Sequence, residues 1–382
     1  MSATTARPVF GHRHAGSSSR PGRTAVVATT LMLLVGVLSL ASGPGAGAVT
    51  TAGRSTPACG LGLDAPDAAA TIGHSFFVAN SLGNSVTEVN GRTGACIAVF
   101  SGPTYGFSDP TAVVAVKHEL IVANSDGTSS SLTEFTPGTT TATVLHGSGY
   151  ALDDPVALAV SGTDLFVLDA DAVVSEVDAT TGAAVTTFSG SKFAFDDPTS
   201  IAAASGKVFV VNAGDNSVTA ITPATDSVSI ISGSAFQFDF AVPDGLPVAP
   251  AAATYSGVLW VTSPATSTAT EVSVATLGLL QVITNGNLAM PGPIVVGSKY
   301  VFTASPPSSS PMVSQIVRKT STATWMMCNT NADYYFNDPQ SLTVVGTSLW
   351  VVNEGGVSGV NGNVASLTEM NITTGALIQV VS

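Results

Sequence analysis

Short apolar runs separated by polar turns make up most of the chain after residue 62. Residues 111–145, for example, contain four such runs, "TAVVAV", "ELIVAN", "SLTEF" and "TATVL", with Gly, Ser, Asn, Thr and charged residues between them. Runs of about five residues, rich in β-branched and aromatic side chains, favour β-strands. No stretch of this region has the spacing of a long amphipathic helix. The pattern predicts antiparallel strands joined by tight turns.

The pattern recurs seven times at fixed offsets. Each copy can be aligned on the residue that ends its "FFVAN"-like run, and these anchors lie 42 to 51 residues apart: Asn80, Asn124, Asp169, Asn212, Ser263, Ser305 and Asn353. In six copies a proline precedes the anchor by 14 residues: Pro66, Pro110, Pro155, Pro198, Pro291 and Pro339. The fifth copy offers Pro243, Pro247 or Pro250 instead. Fixed offsets in otherwise variable sequence indicate one structural unit used repeatedly.

The unit predicts a closed ring. Forty-odd residues with four antiparallel strands match the length of a propeller blade. Ordering the backbone of one such unit costs about 45–90 kcal/mol, and its apolar residues lie on both faces, so a single blade cannot be stable alone. Neighbouring blades must cover both faces. We therefore predict an all-β fold, a seven-bladed β-propeller of four-stranded antiparallel blades, over residues 63–382.

The N-terminal residues have the pattern of an export signal. Residues 1–24 contain four arginines and no acidic residue, and the apolar run 25–41 and a small-residue segment ending in Ala48 follow. This order predicts a signal peptide over residues 1–48, with cleavage after Ala48, and an N-terminal linker over residues 49–62. An uncleaved membrane anchor is the alternative, although the apolar run is short for a membrane span.

Charge and cysteines narrow the possible partners. The formal net charge is −13, and removal of residues 1–48 would make the chain more acidic still. Such a surface lacks the basic footprint of a nucleic-acid-binding or lipid-binding protein. The spacing of the three cysteines fits no zinc motif, and an exported chain can oxidise thiols. We expect a disulfide between Cys59 and Cys96, a free Cys328, and a monomer.

The repeat resembles a known class. The pattern P-x(10)-L-W/F-V-x-N, followed by "SVTE" and "TGA", resembles the NHL and YVTN repeat propellers, and looks closest to secreted actinobacterial repeat proteins. Residues 346–381, "GTSLWVVNEGG…ASLTEMNITTGALIQVV", carry the pattern best. This class includes adhesive modules, signalling modules and enzymes. Lyases of the streptogramin-inactivating type share the blade pattern, which would imply a histidine, acidic residues and a divalent metal near the axis. After residue 48 the only histidines are His74, His118 and His146.

Candidate ligand residues follow from the strand directions. The loops between second and third strands lie on the same end of a propeller as the connections between blades. The candidates for this acidic, amide-rich and aromatic-rich face are Asn80, Asn124, Asp169, Asn212, Asp239, Asp244, Asn353 and Glu354. A residue repeated in every blade is also suited to capping turns, so a structural role for the asparagines stays open. Asp169 and Asp171 could ligate a metal such as calcium, or could form a solvated turn.

Function follows less directly than fold. The chain has no G-x-S-x-G, phosphate-binding G-x-x-x-x-G-K, H-E-x-x-H or complete EF-hand motif, and we expect no cofactor other than calcium. These features favour a secreted binding or adhesion scaffold that presents the acidic face to a protein, glycan or cell-wall partner. The alternative is a metal-assisted lyase or hydrolase at the channel mouth.

Overall fold

The structure is a computed structural model that describes residues 59–127, 129–241, 249–284, 286, 288–305, 311–328, 334–355 and 364–382, without the side chains of residues 325–328. The signal-peptide assignment, residues 1–48, lies outside these ranges. In the part that is described, no helix is both long and apolar enough to cross a membrane.

The strands follow the repeat. In chain order, four to a blade, they are β1 (Pro66–Ile72), β2 (Ser75–Asn80), β3 (Ser85–Asn90) and β4 (Cys96–Ser101); β5 (Pro110–Val116), β6 (Glu119–Asn124), β7 (Ser131–Phe135) and β8 (Ala142–Leu145); β9 (Pro155–Ser161), β10 (Asp164–Asp169), β11 (Val173–Asp178) and β12 (Ala183–Ser189); β13 (Pro198–Ala204), β14 (Lys207–Asn212), β15 (Ser217–Thr222) and β16 (Ser227–Ile231); β17 (Ala252–Tyr255), β18 (Val258–Ser263), β19 (Thr268–Ser273) and β20 (Leu279–Thr284); β21 (Ile294–Val296), β22 (Tyr300–Ser305), β23 (Met312–Val317) and β24 (Thr322–Cys328); β25 (Pro339–Val345), β26 (Ser348–Asn353), β27 (Ser366–Asn371) and β28 (Leu377–Val381). Two single-turn 3-10 helices cover Pro223–Thr225 and Ser234–Phe236.

Each group of four consecutive strands forms one antiparallel sheet in sequence order. The first strand of each sheet contacts the first strand of the next, and β25 contacts β1, which closes the circle. The seven-bladed β-propeller predicted from the repeat is therefore confirmed.

The core lies between the blades. Along β2, Phe76 and Val78 pack against the last blade, whereas Phe77 and Ala79 pack against the second blade. Alternate side chains of a strand point to opposite faces of a sheet, which explains why the runs are apolar at every position. Each of the seven interfaces between neighbouring blades has its own cluster of buried apolar residues.

The ring closes by packing, without strand exchange. Trp350 of the last blade lies 4.8 Å from Phe76 between ring centroids, and its Nε1 donates to the Gly91 carbonyl at 3.1 Å. A Cβ on Gly91 would lie 2.6 Å from Cγ1 of Val345. This junction between the first and last blades therefore requires a glycine at that position.

A disulfide holds the start of the described chain. Cys59 and Cys96 are bonded, with 5.5 Å between their Cα atoms, so the segment before β1 is tied to β4 of the same blade. Leu61, within the segment assigned to the linker, is buried at the closure, and its carbonyl accepts a 2.7 Å hydrogen bond from Thr87 Oγ1. In the other blades the preceding blade supplies this segment. Here the disulfide substitutes for that covalent connection.

Removal of the disulfide should loosen the closure. The double variant Cys59→Ser/Cys96→Ser, in a Cys328→Ser background that prevents other pairings, should lose about 2–4 kcal/mol of unfolding free energy because the unfolded chain is no longer constrained. Urea denaturation against Cys328→Ser alone measures the loss. An unchanged midpoint and slope would show that packing alone closes the ring.

The two ends of the propeller differ. One end carries the connections between blades and the loops between second and third strands; we call it the crossover face. The other end carries the remaining turns; we call it the turn face. Asp109 and Asp197, which precede the strand-initial prolines, have φ values of 48° and 50°, a left-handed conformation that aspartate tolerates better than most residues. Their carbonyls accept from the residue that follows the anchor, at 3.0 and 2.9 Å.

Two blades depart from the proline rule. In the fifth blade, Thr199 Oγ1 of the preceding blade donates to the Pro250 carbonyl, as Thr111 Oγ1 donates to the Pro155 carbonyl, so Pro250 takes the repeated position. In the sixth blade the first strand begins at Ile294, not at Pro291. A second proline, Pro293, has no N–H to give to the ladder, which shortens this strand.

Candidate functional site

The anchor asparagines face the interior. Asn80, Asn124, Asn212 and Asn353 have no exposed surface. In the fourth blade, Asn212 Nδ2 donates to Ser217 Oγ and Thr219 Oγ1, both at 3.0 Å. Thr219 Oγ1 in turn donates to the Phe193 carbonyl in the connection that enters the blade, at 2.8 Å. The same relay occurs in three other blades: Asn80–Thr87–Leu61, Asn124–Thr133–Tyr105 and Asn353–Thr368–Tyr334. These four asparagines are buried below the crossover face, where they hold the incoming connections in place, and they do not lie on its surface.

The relay should be measurable as stability. Thr219→Val keeps the shape of the side chain but leaves Asn212 Nδ2 and the Phe193 carbonyl each short of a buried partner, so the unfolding free energy should fall by about 1–3 kcal/mol. Ser175→Ala is the matched control. Ser175 holds the equivalent position in the third blade, and its Oγ has no hydrogen-bond partner among the described residues. Equal losses in the two variants by urea denaturation would contradict the relay.

The third blade carries an acidic variant of the anchor. Asp169 is 1% exposed, and its carboxylate accepts from the backbone N–H groups of Asp153 and Asp154 at 2.8 to 3.1 Å. Burial raises the pKa of Asp169, while these N–H groups act in the opposite direction. A hydrogen bond with the Asp153 carboxyl raises the pKa of Asp171. Carboxyls that pair with one another hold a proton more tightly than isolated ones.

The metal assignment stays a prediction. Among the described residues, no group of three or more His, Cys, Asp or Glu side chains is arranged to hold a metal ion. The histidines are also dispersed: His74 and His118 lie in turns on the turn face, whereas His146 follows β8 on the crossover face.

The other ligand-face candidates have mixed positions. Asp239 is half-buried between Phe238 and Phe240, whose rings stack at 5.4 Å. Glu354 is half-buried and accepts from Gln340 Nε2 at 3.2 Å, near the channel mouth. Asp244 lies outside the described residues. The axis itself has a small cavity of about 190 Å³. Its lining is Thr199, Ser200, Ala249, Pro250, Ala251, Pro293 and Gln340, all on the crossover face.

A larger groove lies off the axis on the second blade. Its volume is about 540 Å³, within the range of small-molecule sites. Three chain segments of the crossover face form it: the connection into the blade, the loop between β6 and β7, and the connection to the third blade. The lining is Gly106, Ser108, Asp126, Ser129, Ser130, Ser131, Val144, His146, Gly147, Ser148, Ala151 and Leu152. Sequence interpretation missed this groove, although the length of "SDGTSS" relative to "SLGN" and "AGDN" in other copies was a usable signal.

The glutamates of the third strands lie toward the turn face. Burial, with the nearby Glu119 and Asp178 carboxylates, raises the pKa of Glu134 to about 7. Its Oε1 is buried and has no hydrogen-bond partner in the described part of the chain, as expected of a carboxyl that is costly to ionise there. Burial likewise raises the pKa of Glu176 and Glu271.

Glu134 should make stability depend on pH. Its pKa is higher in the folded protein than the usual 4.5, so the folded state binds the proton more tightly and loses stability as the pH rises from about 4.5 to 7. Glu134→Gln should therefore raise the unfolding free energy at pH 8 by about 1–2 kcal/mol, a value reduced for the half-exposed side chain, and change it little at pH 5. Chemical denaturation at both pH values measures this. The same gain at pH 5 and pH 8 would contradict a raised pKa.

Comparison with known proteins supports the fold alone. The structure is similar to the crystal structure of the computationally designed Ika8 protein, with a TM-score of 0.56 and 15% identity over 83% of this chain and 86% of that chain. No family model and no curated protein sequence matches the chain. The class that the fold defines is the seven-bladed β-propeller.

Proposed function

We propose that the protein is a secreted binding scaffold that meets an extracellular protein, glycan or cell-wall partner through its crossover face. The observation that carries the proposal is that departures from the repeat are concentrated there. The loop between second and third strands spans residues 81–84 in the first blade, 125–130 in the second and 354–365 in the last, while the strands around it stay the same. Variable loops on a rigid scaffold are the usual carriers of binding.

Charge distinguishes the same face. Its described loops carry acidic residues with a single basic residue, Lys192, among them. The acidic residues are Asp64, Asp109, Asp126, Asp153, Asp154, Asp171, Asp196, Asp197, Asp215, Asp239, Asp338 and Glu354. The basic residues of the turn face are Arg92, Lys117, Lys207, Lys299, Arg318 and Lys319. The turn face also carries acidic residues, among them Glu119, Asp164, Asp178 and Asp226. The crossover face is therefore the more uniformly acidic of the two ends, which favours one orientation of binding.

Secretion and repeat type are parts of the same proposal. The basic segment, apolar run and small residues before position 49 support export, and the P-x(10)-L-W/F-V-x-N pattern supports kinship with the NHL and YVTN repeat propellers of secreted actinobacterial proteins. No specific observation favours the metal-assisted lyase or hydrolase.

Blocking one face at a time tests the proposal. In a Cys328→Ser background, Asp215→Cys places a thiol on the crossover face and Lys319→Cys places one on the turn face; both native side chains are exposed. Each thiol is coupled to a polyethylene glycol chain of several kilodaltons. Retention of the secreted protein on isolated cell walls, a glycan array and immobilised extracellular proteins is then measured.

We expect retention on at least one surface, lost with the polymer on the crossover face and kept with the polymer on the turn face. Each uncoupled variant serves as its own control. Equal retention with either polymer, or loss only with the turn-face polymer, would contradict the proposal, as would no retention of the unmodified protein.

A further inference from the structure

The groove on the second blade lies where the loop between β6 and β7 meets the connection to the third blade. The loop between β6 and β7 spans residues 125–130, against 81–84 and 213–216 in the first and fourth blades. The connection to the third blade spans residues 146–154, against 102–109 and 190–197 for its neighbours. The blade keeps its anchor relay and its core with these additions. The extra residues are thus not required to build the blade.

The lining combines hydroxyl groups, one carboxylate and one imidazole. Five serines line the groove, together with Asp126 and His146, and no lysine or arginine does. Hydroxyl groups can donate and accept hydrogen bonds and a carboxylate can accept them, so both can bind a ligand that is itself rich in hydroxyls. An anionic ligand would instead be repelled by the Asp126 charge, and the lining residues include no lysine or arginine to attract it.

Asp126 is held in place before any ligand arrives. Its Oδ1 accepts from the Ser129 backbone N–H at 2.6 Å, and its Oδ2 accepts from Ser108 Oγ at 3.2 Å. The side chain is exposed and is part of the groove lining, and a carboxylate can accept several hydrogen bonds at once. Fixing an acceptor in advance lowers the entropy cost of binding.

Two aliphatic side chains complete the groove. Val144, 36% exposed, is part of the lining, as is the half-buried Leu152. The aliphatic C–H faces of a sugar ring can pack against such side chains while its hydroxyls reach the serines and Asp126.

We propose that this groove binds saccharides that lack anionic groups. The inference rests on the proposed binding function and narrows it to one ligand class and one site. The ligand can be neutral or amino-substituted, because both present hydroxyl donors to Asp126 and neither adds a negative charge.

Titration calorimetry with the secreted protein tests the site. The probes are maltotetraose, cellotetraose, chitotetraose, a glucosamine tetramer, a galacturonic acid tetramer and tetralysine. We expect binding of one or more of the first four and not of galacturonic acid tetramer. The double variant Asp126→Asn/His146→Ala should weaken that binding by about tenfold or more, the usual effect of losing a hydrogen bond to a charged group. Asp126→Asn keeps an acceptor for the Ser129 N–H, and matching thermal melts show that the fold is intact.

Asp215→Asn is the matched control, since it neutralises an exposed carboxylate in the corresponding loop of the fourth blade, outside the groove. It should leave saccharide affinity unchanged. Binding of tetralysine alone, preference for galacturonic acid tetramer, equal weakening by Asp215→Asn, or no saccharide binding would overturn the groove assignment. The face-blocking experiment would still decide the broader binding function by itself, because a polymer of several kilodaltons on residue 215 shields the crossover face as a whole, whereas Asp126→Asn/His146→Ala alters the groove alone.

Discussion

The requirement that every sheet bury both of its faces determines this structure. A four-stranded sheet whose two faces both carry apolar side chains has no face suited to solvent. Each blade therefore needs two neighbours. A ring meets that need for all seven copies, and each pair of neighbours shares one cluster, such as that of Phe166 and Val210 between the third and fourth blades. Stability is therefore distributed over equivalent interfaces, and the weakest of them limits the whole.

The interface between the first and last blades is the one that differs. Elsewhere the chain itself runs from the outer strand of one blade to the inner strand of the next. At the closure the described residues show side-chain packing around Trp350 and Phe76 and one indole hydrogen bond between the two blades, and the Cys59–Cys96 disulfide fixes the entering segment to the first blade. Gly91 allows the two blades to approach there, since any side chain would collide with Val345. The closure therefore combines close packing of the two blades with a disulfide that holds the entering segment on the first blade.

The fold could be predicted from sequence because its signal is repeated seven times. The spacing of the anchors and prolines stays recognisable even where one copy has a different residue, such as Ser263 in place of asparagine. Blade number and strand order therefore follow from the pattern. The site could not be predicted in the same way. Asn80 and its equivalents could be ligand-face residues or structural residues by sequence alone. Asn80 Nδ2 donates to Thr87 Oγ1, which donates to the Leu61 carbonyl, and this relay lies inside the blade. The groove depends on segments far apart in sequence whose meeting only the fold determines.

Repetition and function therefore act on different parts of the chain. Residues such as Asn212 and Thr219 recur in four blades, where the same hydrogen bonds fix the incoming connection to its blade. Once that is done, the residues above the relay are free to vary in length and charge without loss of the core. Asp126 illustrates the result: it stands two residues beyond a buried anchor, on a loop whose base the relay makes rigid. Seven blades with similar cores can in this way carry one dissimilar site. The proposed site lies where two of the varied segments adjoin.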